Sequence, residues 1–190
     1  MCGRYISNSE AEVMEIREIL KLISMRFVLA EYPAALAEVF PTNRVTIINS
    51  LEPLYAKWGI EKWDKKGVII NARSETYENS GFFKHFAKNR CIIPAHGYYE
   101  WRKGEGKTKI KYAFTGGDNH GIFMAGIIKP TPEQAEFAII TKPAEPEIHF
   151  VHDRMPVIVR AEQVGGWLSG QLPMRELCAM NSGIVWEKAG

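Results

Sequence analysis

The chain has 190 residues, 46% hydrophobic and 24% charged, with a formal net charge of +2. That composition excludes a disordered or fibrous protein and suffices for one domain, 1–190, with its own core. No apolar run approaches the roughly 20 residues that cross a bilayer, and the polar start lacks a signal-peptide apolar region, so a cytoplasmic protein is expected.

In chain order, the first element of interest is Cys2, which follows only Met1. Trimming of Met1 would expose an α-amine and a thiol on one residue. An α-amine titrates at about 7.7–8.0, against about 10.4 for lysine, so roughly a quarter of such amines are neutral near pH 7.4. An amine beside a thiol suits capture of an aldehyde: the amine forms an imine and the thiol closes a five-membered thiazolidine. Position alone more often marks an ordinary residue at a frayed start.

Ser9 and Glu12 fit a capping box, and Val13, Ile16, Leu20 and Ile23 recur at helical spacing, predicting a helix over 10–23. Short β-type runs follow at 45–48, 54–58, 68–70, 90–93, 112–115, 122–128, 137–141 and 156–159. Segments 81–89, 161–169 and 175–180 read as helical, and Gly116-Gly117-Asp118-Asn119 as a hairpin turn. The strands do not alternate regularly with helices, which argues against a doubly wound parallel sheet. The expected class is α+β, a single domain with a twisted, mostly antiparallel, barrel-like β core flanked by helices. Cys2, Cys91 and Cys178 are odd in number and scattered, with no C-x-x-C pair, so neither a disulfide framework nor a structural metal is expected.

Three segments place polar groups at the ends of apolar runs. In Val68-Ile69-Ile70-Asn71-Ala72-Arg73-Ser74-Glu75, Asn71 can donate and accept, and Arg73 suits a phosphate. The same residues read equally as a strand end with a cap at Ser74. In Cys91-Ile92-Ile93-Pro94-Ala95-His96-Gly97-Tyr98-Tyr99-Glu100-Trp101, Glu100 lies between aromatics, as suits a proton shuttle or a surface carboxylate. In Phe150-Val151-His152-Asp153-Arg154-Met155-Pro156-Val157-Ile158-Val159, His152 is a candidate proton carrier and Arg154 a phosphate ligand, although a histidine in such a run is more often structural. Around Trp58 and Trp63, rings mix with Lys62, Lys65 and Lys66, a pattern that serves single-stranded nucleic acid or a core tryptophan beside a solvated turn.

Together, Met1-Cys2-Gly3-Arg4-Tyr5, Trp58-Gly59, Asn71-Ala72-Arg73-Ser74-Glu75-Thr76, Arg90-Cys91-Ile92-Ile93-Pro94-Ala95, Gly97-Tyr98-Tyr99-Glu100-Trp101 and His152-Asp153-Arg154-Met155-Pro156 resemble the SOS-response-associated peptidase (SRAP) family. The resemblance runs from the first residue to about 159. It implies a barrel-like β fold and covalent trapping of abasic sites in single-stranded DNA, as part of DNA repair. It implies that Cys2 supplies amine and thiol, that Asn71 orients the sugar, that Glu100 shuttles protons, and that His152 assists ring opening. It further implies DNA contacts from Arg4, Arg73, Arg154, Trp58, Pro41 and Thr141. The implied protein is a monomer whose partner is single-stranded DNA with abasic sites, with no membrane, metal or cofactor. Two other readings stay open: a Cys2-dependent autopeptidase or hydrolase, and a non-enzymatic reader of single-stranded or modified DNA.

Overall fold

The computed structural model describes residues 2–6, 38–49, 53–117, 121–132 and 135–189. The helix expected over 10–23 lies outside the described residues. The strands are β1 (Tyr5–Ile6), β2 (Arg44–Ile48), β3 (Pro53–Trp58), β4 (Ile60–Glu61), β5 (Val68–Ile69), β6 (Asn71–Arg73) and β7 (Arg90–Ala95). They continue as β8 (Gly97–Lys103), β9 (Lys109–Gly116), β10 (Ile122–Pro130), β11 (Ala135–Pro143), β12 (Arg154–Pro156), β13 (Ile158–Val159) and β14 (Ile184–Lys188). The helices are α1 (Pro146–His149), α2 (Val164–Ser169) and α3 (Met174–Ala179). Among the described residues, no helix is long and apolar enough to cross a membrane.

Almost every residue of β7, β10 and β11 is buried. Successive strand residues point to opposite faces, so such strands must separate two apolar layers. Cys91, Ile93, Met124 and Ile139 fall in one layer. Their neighbours Ile92, Ala125, Ala138 and Ile140 fall in the other.

The first layer fills a closed, five-stranded mixed barrel. β3 pairs with β2, β2 with β7, β7 with β10 and β10 with β11, all antiparallel. β11 closes the ring on β3 in parallel. The second layer lies outside the barrel, beneath α2, α3 and residues 81–88. There the Trp167 indole N–H donates to the Cys91 carbonyl at 2.9 Å, fixing α2 to β7.

β11 outruns its barrel partners. At 139–141 it pairs in parallel with β6, and at 141–143 antiparallel with β12. The chain leaves this edge at Gly59, runs out and back as β4 and β5, and returns as β6. A second sheet, in the order β1-β8-β9-β14, packs on the barrel interior through Tyr5, Tyr98 and Phe114.

The barrel-like β fold expected from the sequence is present, and four local expectations are corrected. Segment 81–89 is a succession of turns, seating Phe83 and Phe86 in the outer layer, and not a regular helix. Gly116 and Gly117 do not lead a hairpin: β9 belongs to the second sheet and β10 to the barrel, so the connection changes sheets. The run 156–159 breaks at Val157, where the chain passes from β11 to β10. The segment from Gly97 to Lys103, where no strand is expected from the sequence, is a full strand following β7.

Candidate functional site

Cys2 lies immediately before β1, where the second sheet meets the extension of β11, and it is 0% exposed. β6 brings Asn71 against it, and the Asn71 Nδ2 donates to the Cys2 carbonyl oxygen at 2.9 Å. This bond holds the backbone of Cys2 from a strand 69 residues away. Burial, and then the negative charge of Glu100, push the Cys2 thiol well above its ordinary range. The thiol is therefore protonated at rest and needs a base before it can attack.

Glu100 comes from β8 and is 4% exposed. The period of two along β8 sends Tyr98 and Glu100 to the inner face. It sends Tyr99 and Trp101 outward, where Lys111 Nζ lies 3.6 Å from the Tyr99 ring centroid. The sequence expectation of a carboxylate among rings thus resolves into two faces, one with the acid and one with an aromatic pair. Cys2, Asn71 and Glu100 are brought together.

His152 stands just before β12. Its Nδ1 lies 2.9 Å from the Arg154 amide nitrogen and 2.8 Å from Asp153 Oδ1. These contacts require opposite states of one nitrogen. In the neutral ring Nδ1 accepts from the amide, leaving the proton on Nε2; in the charged ring Nδ1 donates to Asp153.

Arg154 is held inside the protein. Its guanidinium forms a two-pronged pair with Glu75 and donates to the Thr141 carbonyl oxygen at 2.6 Å. Arg154 in turn holds the Glu75 carboxyl down at about 2. Thr141 is 0% exposed, and its carbonyl also accepts from the Ser74 amide at 2.9 Å. Arg154 and Thr141 thereby stitch β6, β11 and β12 together.

Trp58 also lies in the interior. It is 0% exposed, donates its indole N–H to the Ile70 carbonyl at 3.1 Å and packs on Tyr5 at 5.1 Å. The buried ring thus braces the start of β6 through Ile70. Arg73, on β6, is exposed. The Arg4 guanidinium pairs with Glu38 at 3.1 Å and lies over the Phe40 and Trp101 rings, 4.4 and 4.9 Å from their centroids. Pro41 sits in a tight turn closed by the Asn43 amide on the Phe40 carbonyl, with Thr42 at a φ of 75°.

The sequence reading missed several participants. Glu75 was quoted only within a motif, although it carries the partner charge of Arg154. Glu145, which accepts from Lys142 Nζ at 2.8 Å and from the Ser182 hydroxyl at 2.7 Å, ties β11 to the C-terminal segment. Tyr5 and Tyr98 flank Cys2, and reading 97–103 as a strand would have paired Tyr98 with Glu100 on one face. Among the described residues, no three His, Cys, Asp or Glu side chains gather where a metal ion could sit.

A family profile described as SOS response associated peptidase (SRAP) matches residues 1–183. The Abasic site processing protein YoqW of Bacillus subtilis is 35% identical, over 89% of this chain and 80% of that protein. The Abasic site processing protein YedK of Escherichia coli is 29% identical, over 93% of this chain and 83% of that protein. A crystal structure of a Bordetella bronchiseptica protein superposes with a TM-score of 0.75 at 21% identity, covering 100% of both chains, and shares the fold.

Proposed function

The chain belongs to the SOS response associated peptidase family, and from that premise we propose that it processes abasic sites in single-stranded DNA by covalent capture at Cys2. The observation that carries this reading is the fixation of Cys2 by Asn71 with the Glu100 charge beside the thiol. The relatives named for abasic-site processing support the substrate.

The chemistry follows from groups that are present. An abasic sugar rests mainly as a closed hemiacetal. Opening breaks the C1–O4 bond; O4 gains a proton and the C1 hydroxyl loses one, giving an aldehyde. We assign this exchange to His152, an imidazole that can accept and donate a proton. With Met1 gone, the Cys2 amine adds to C1 and water leaves as the imine forms. The thiol then adds to the same carbon, its proton passing to the imine nitrogen with Glu100 as carrier. The product is a thiazolidine plus one water, and it outlasts the imine because two bonds must reopen.

Arg73 is an exposed cation next to Asn71, and Arg4 lies beside exposed Phe40. Such groups hold a phosphate backbone without reading bases. Capture should therefore depend on the lesion and not on the flanking sequence.

The test uses protein with a free Cys2 amine and a single-stranded oligonucleotide carrying one abasic site. The expected result is a heat-stable adduct, seen by intact mass as protein plus DNA minus one water. No adduct from wild type, or an undiminished one from Cys2→Ala, overturns the reading. The Glu100 charge on the Cys2 thiol also favours a second reading, self-cleavage ahead of Cys2. That reading requires Met1 to be retained in Glu100→Ala; Met1 loss in that variant eliminates it.

A further inference from the structure

Two buried phenols flank Cys2 and take no part in the chemistry above. Tyr5 on β1 and Tyr98 on β8 are direct cross-strand partners, 1% and 0% exposed. Their rings are locked, Tyr98 stacked on Phe114 at 4.8 Å and Tyr5 tilted against Trp58 at 5.1 Å. Among the described residues, neither hydroxyl has a hydrogen-bond partner, and nor does the Asn71 Oδ1, whose amide nitrogen already holds Cys2. Burial first, and then the neighbouring Cys2 sulfur, push both phenols well above their ordinary range; for Tyr98 the charges of Glu100 and Glu145 add to this. Both hydroxyls are thus neutral donors in the neighbourhood of Cys2. A buried hydroxyl without a partner is destabilising, and phenylalanine would fill either ring position without that penalty.

We propose that the Tyr5 and Tyr98 hydroxyls, with Asn71 Oδ1, form a hydroxyl-binding subsite for the ring-opened sugar; the proposal rests on the capture reading above. Ring opening converts O4 into a hydroxyl on C4. That hydroxyl is the internal competitor of the thiol, because its return to C1 of the imine regenerates a closed ring. A hydroxyl donates one bond and accepts others. It can accept from the phenols and donate to Asn71 Oδ1, and so be held away from C1 while Sγ adds. A linear aldehyde of similar reach has no such hydroxyl and gains nothing from the subsite.

The experiment compares two single-stranded oligonucleotides, one with an abasic site and one with a linear alkyl aldehyde in place of that sugar. The double variant Tyr5→Phe/Tyr98→Phe should crosslink the abasic strand roughly tenfold more slowly, the scale of one lost hydrogen bond. It should crosslink the linear aldehyde at the wild-type rate. Unchanged rates on both strands would show the hydroxyls to be idle. Equal slowing on both would show that the side chains only support the fold. Either result overturns the subsite. The single variants Tyr5→Phe and Tyr98→Phe repeat the comparison with half the subsite intact, and thermal unfolding should be no lower than in wild type. A wild-type protein that crosslinks neither strand overturns the Cys2 reading itself, and the subsite with it.

Discussion

At the scale of single residues, Asn71 illustrates how a side chain does chemistry without reacting. Its Nδ2 donates to the Cys2 carbonyl at 2.9 Å, so it fixes the residue whose amine and thiol must reach one carbon in the proposed capture. Asn71→Asp replaces that donor with an acceptor and turns an attraction into a repulsion. The expected outcome is a fall of about tenfold or more in the single-turnover rate of adduct formation, from the lost hydrogen bond alone. The fold should be retained, because Asn71 sits at the start of a three-residue strand and only its neighbour Ala72 belongs to the outer layer. A variant that reacts at the wild-type rate would remove Asn71 from the machinery. Its chemical type was legible in the sequence, as an amide ending an apolar run. Its partner was not, because 69 positions separate it from Cys2 and only the pairing of β6 with β11 closes that gap.

At the scale of elements, the ion pair of Arg154 with Glu75 joins β12 to the end of β6, and its consequence is a pH dependence. Arg154 lowers the Glu75 carboxyl from 4.5 to about 2. A depressed carboxyl contributes stability that is complete above about pH 4.5 and is lost as pH falls toward about 2. Glu75→Gln should therefore unfold more easily than wild type at neutral pH and converge with it near pH 2. Since Glu75 is 44% exposed, solvent screening holds the neutral-pH difference to about 1 kcal/mol. Denaturant titrations at pH 7 and pH 2.5 check this, and a constant difference between them would contradict it. Element positions were largely readable: the runs near 45, 54, 90, 122 and 137 are all strands. What failed were the neighbours of each strand. Alternation says which residues share a face, but not that residues 116 and 122 lie in different sheets. Arg154 shows the same limit, since its partner Glu75 lies 79 positions away in the chain.

At the scale of the whole molecule, the site exists because one continuous line of chain serves two sheets. β7 lies in the barrel and β8 in the second sheet, and the change occurs across His96 and Gly97. At Gly97 the backbones come so close that an added Cβ would stand 2.3 Å from the Phe114 carbonyl oxygen. That atom is main chain of the paired strand β9 and cannot swing aside. Gly97→Ala must therefore push β8 off β9 just ahead of Tyr98 and Glu100, the residues that β8 delivers to Cys2. Two losses are expected together: about 3 kcal/mol of stability, at the upper end for overpacking, and a slower capture of abasic DNA as Glu100 leaves the thiol. Gly81→Ala is the control, since nothing lies within 4 Å of its added Cβ, and it should match wild type in both measurements. Chemical denaturation gives the first quantity and single-turnover crosslinking below the midpoint gives the second. A Gly97→Ala protein that is destabilised but captures at full rate would detach the sheet junction from the aim of Glu100. Loss of rate beyond the fraction unfolded would tie the chemistry at Cys2 to the joint between the two sheets.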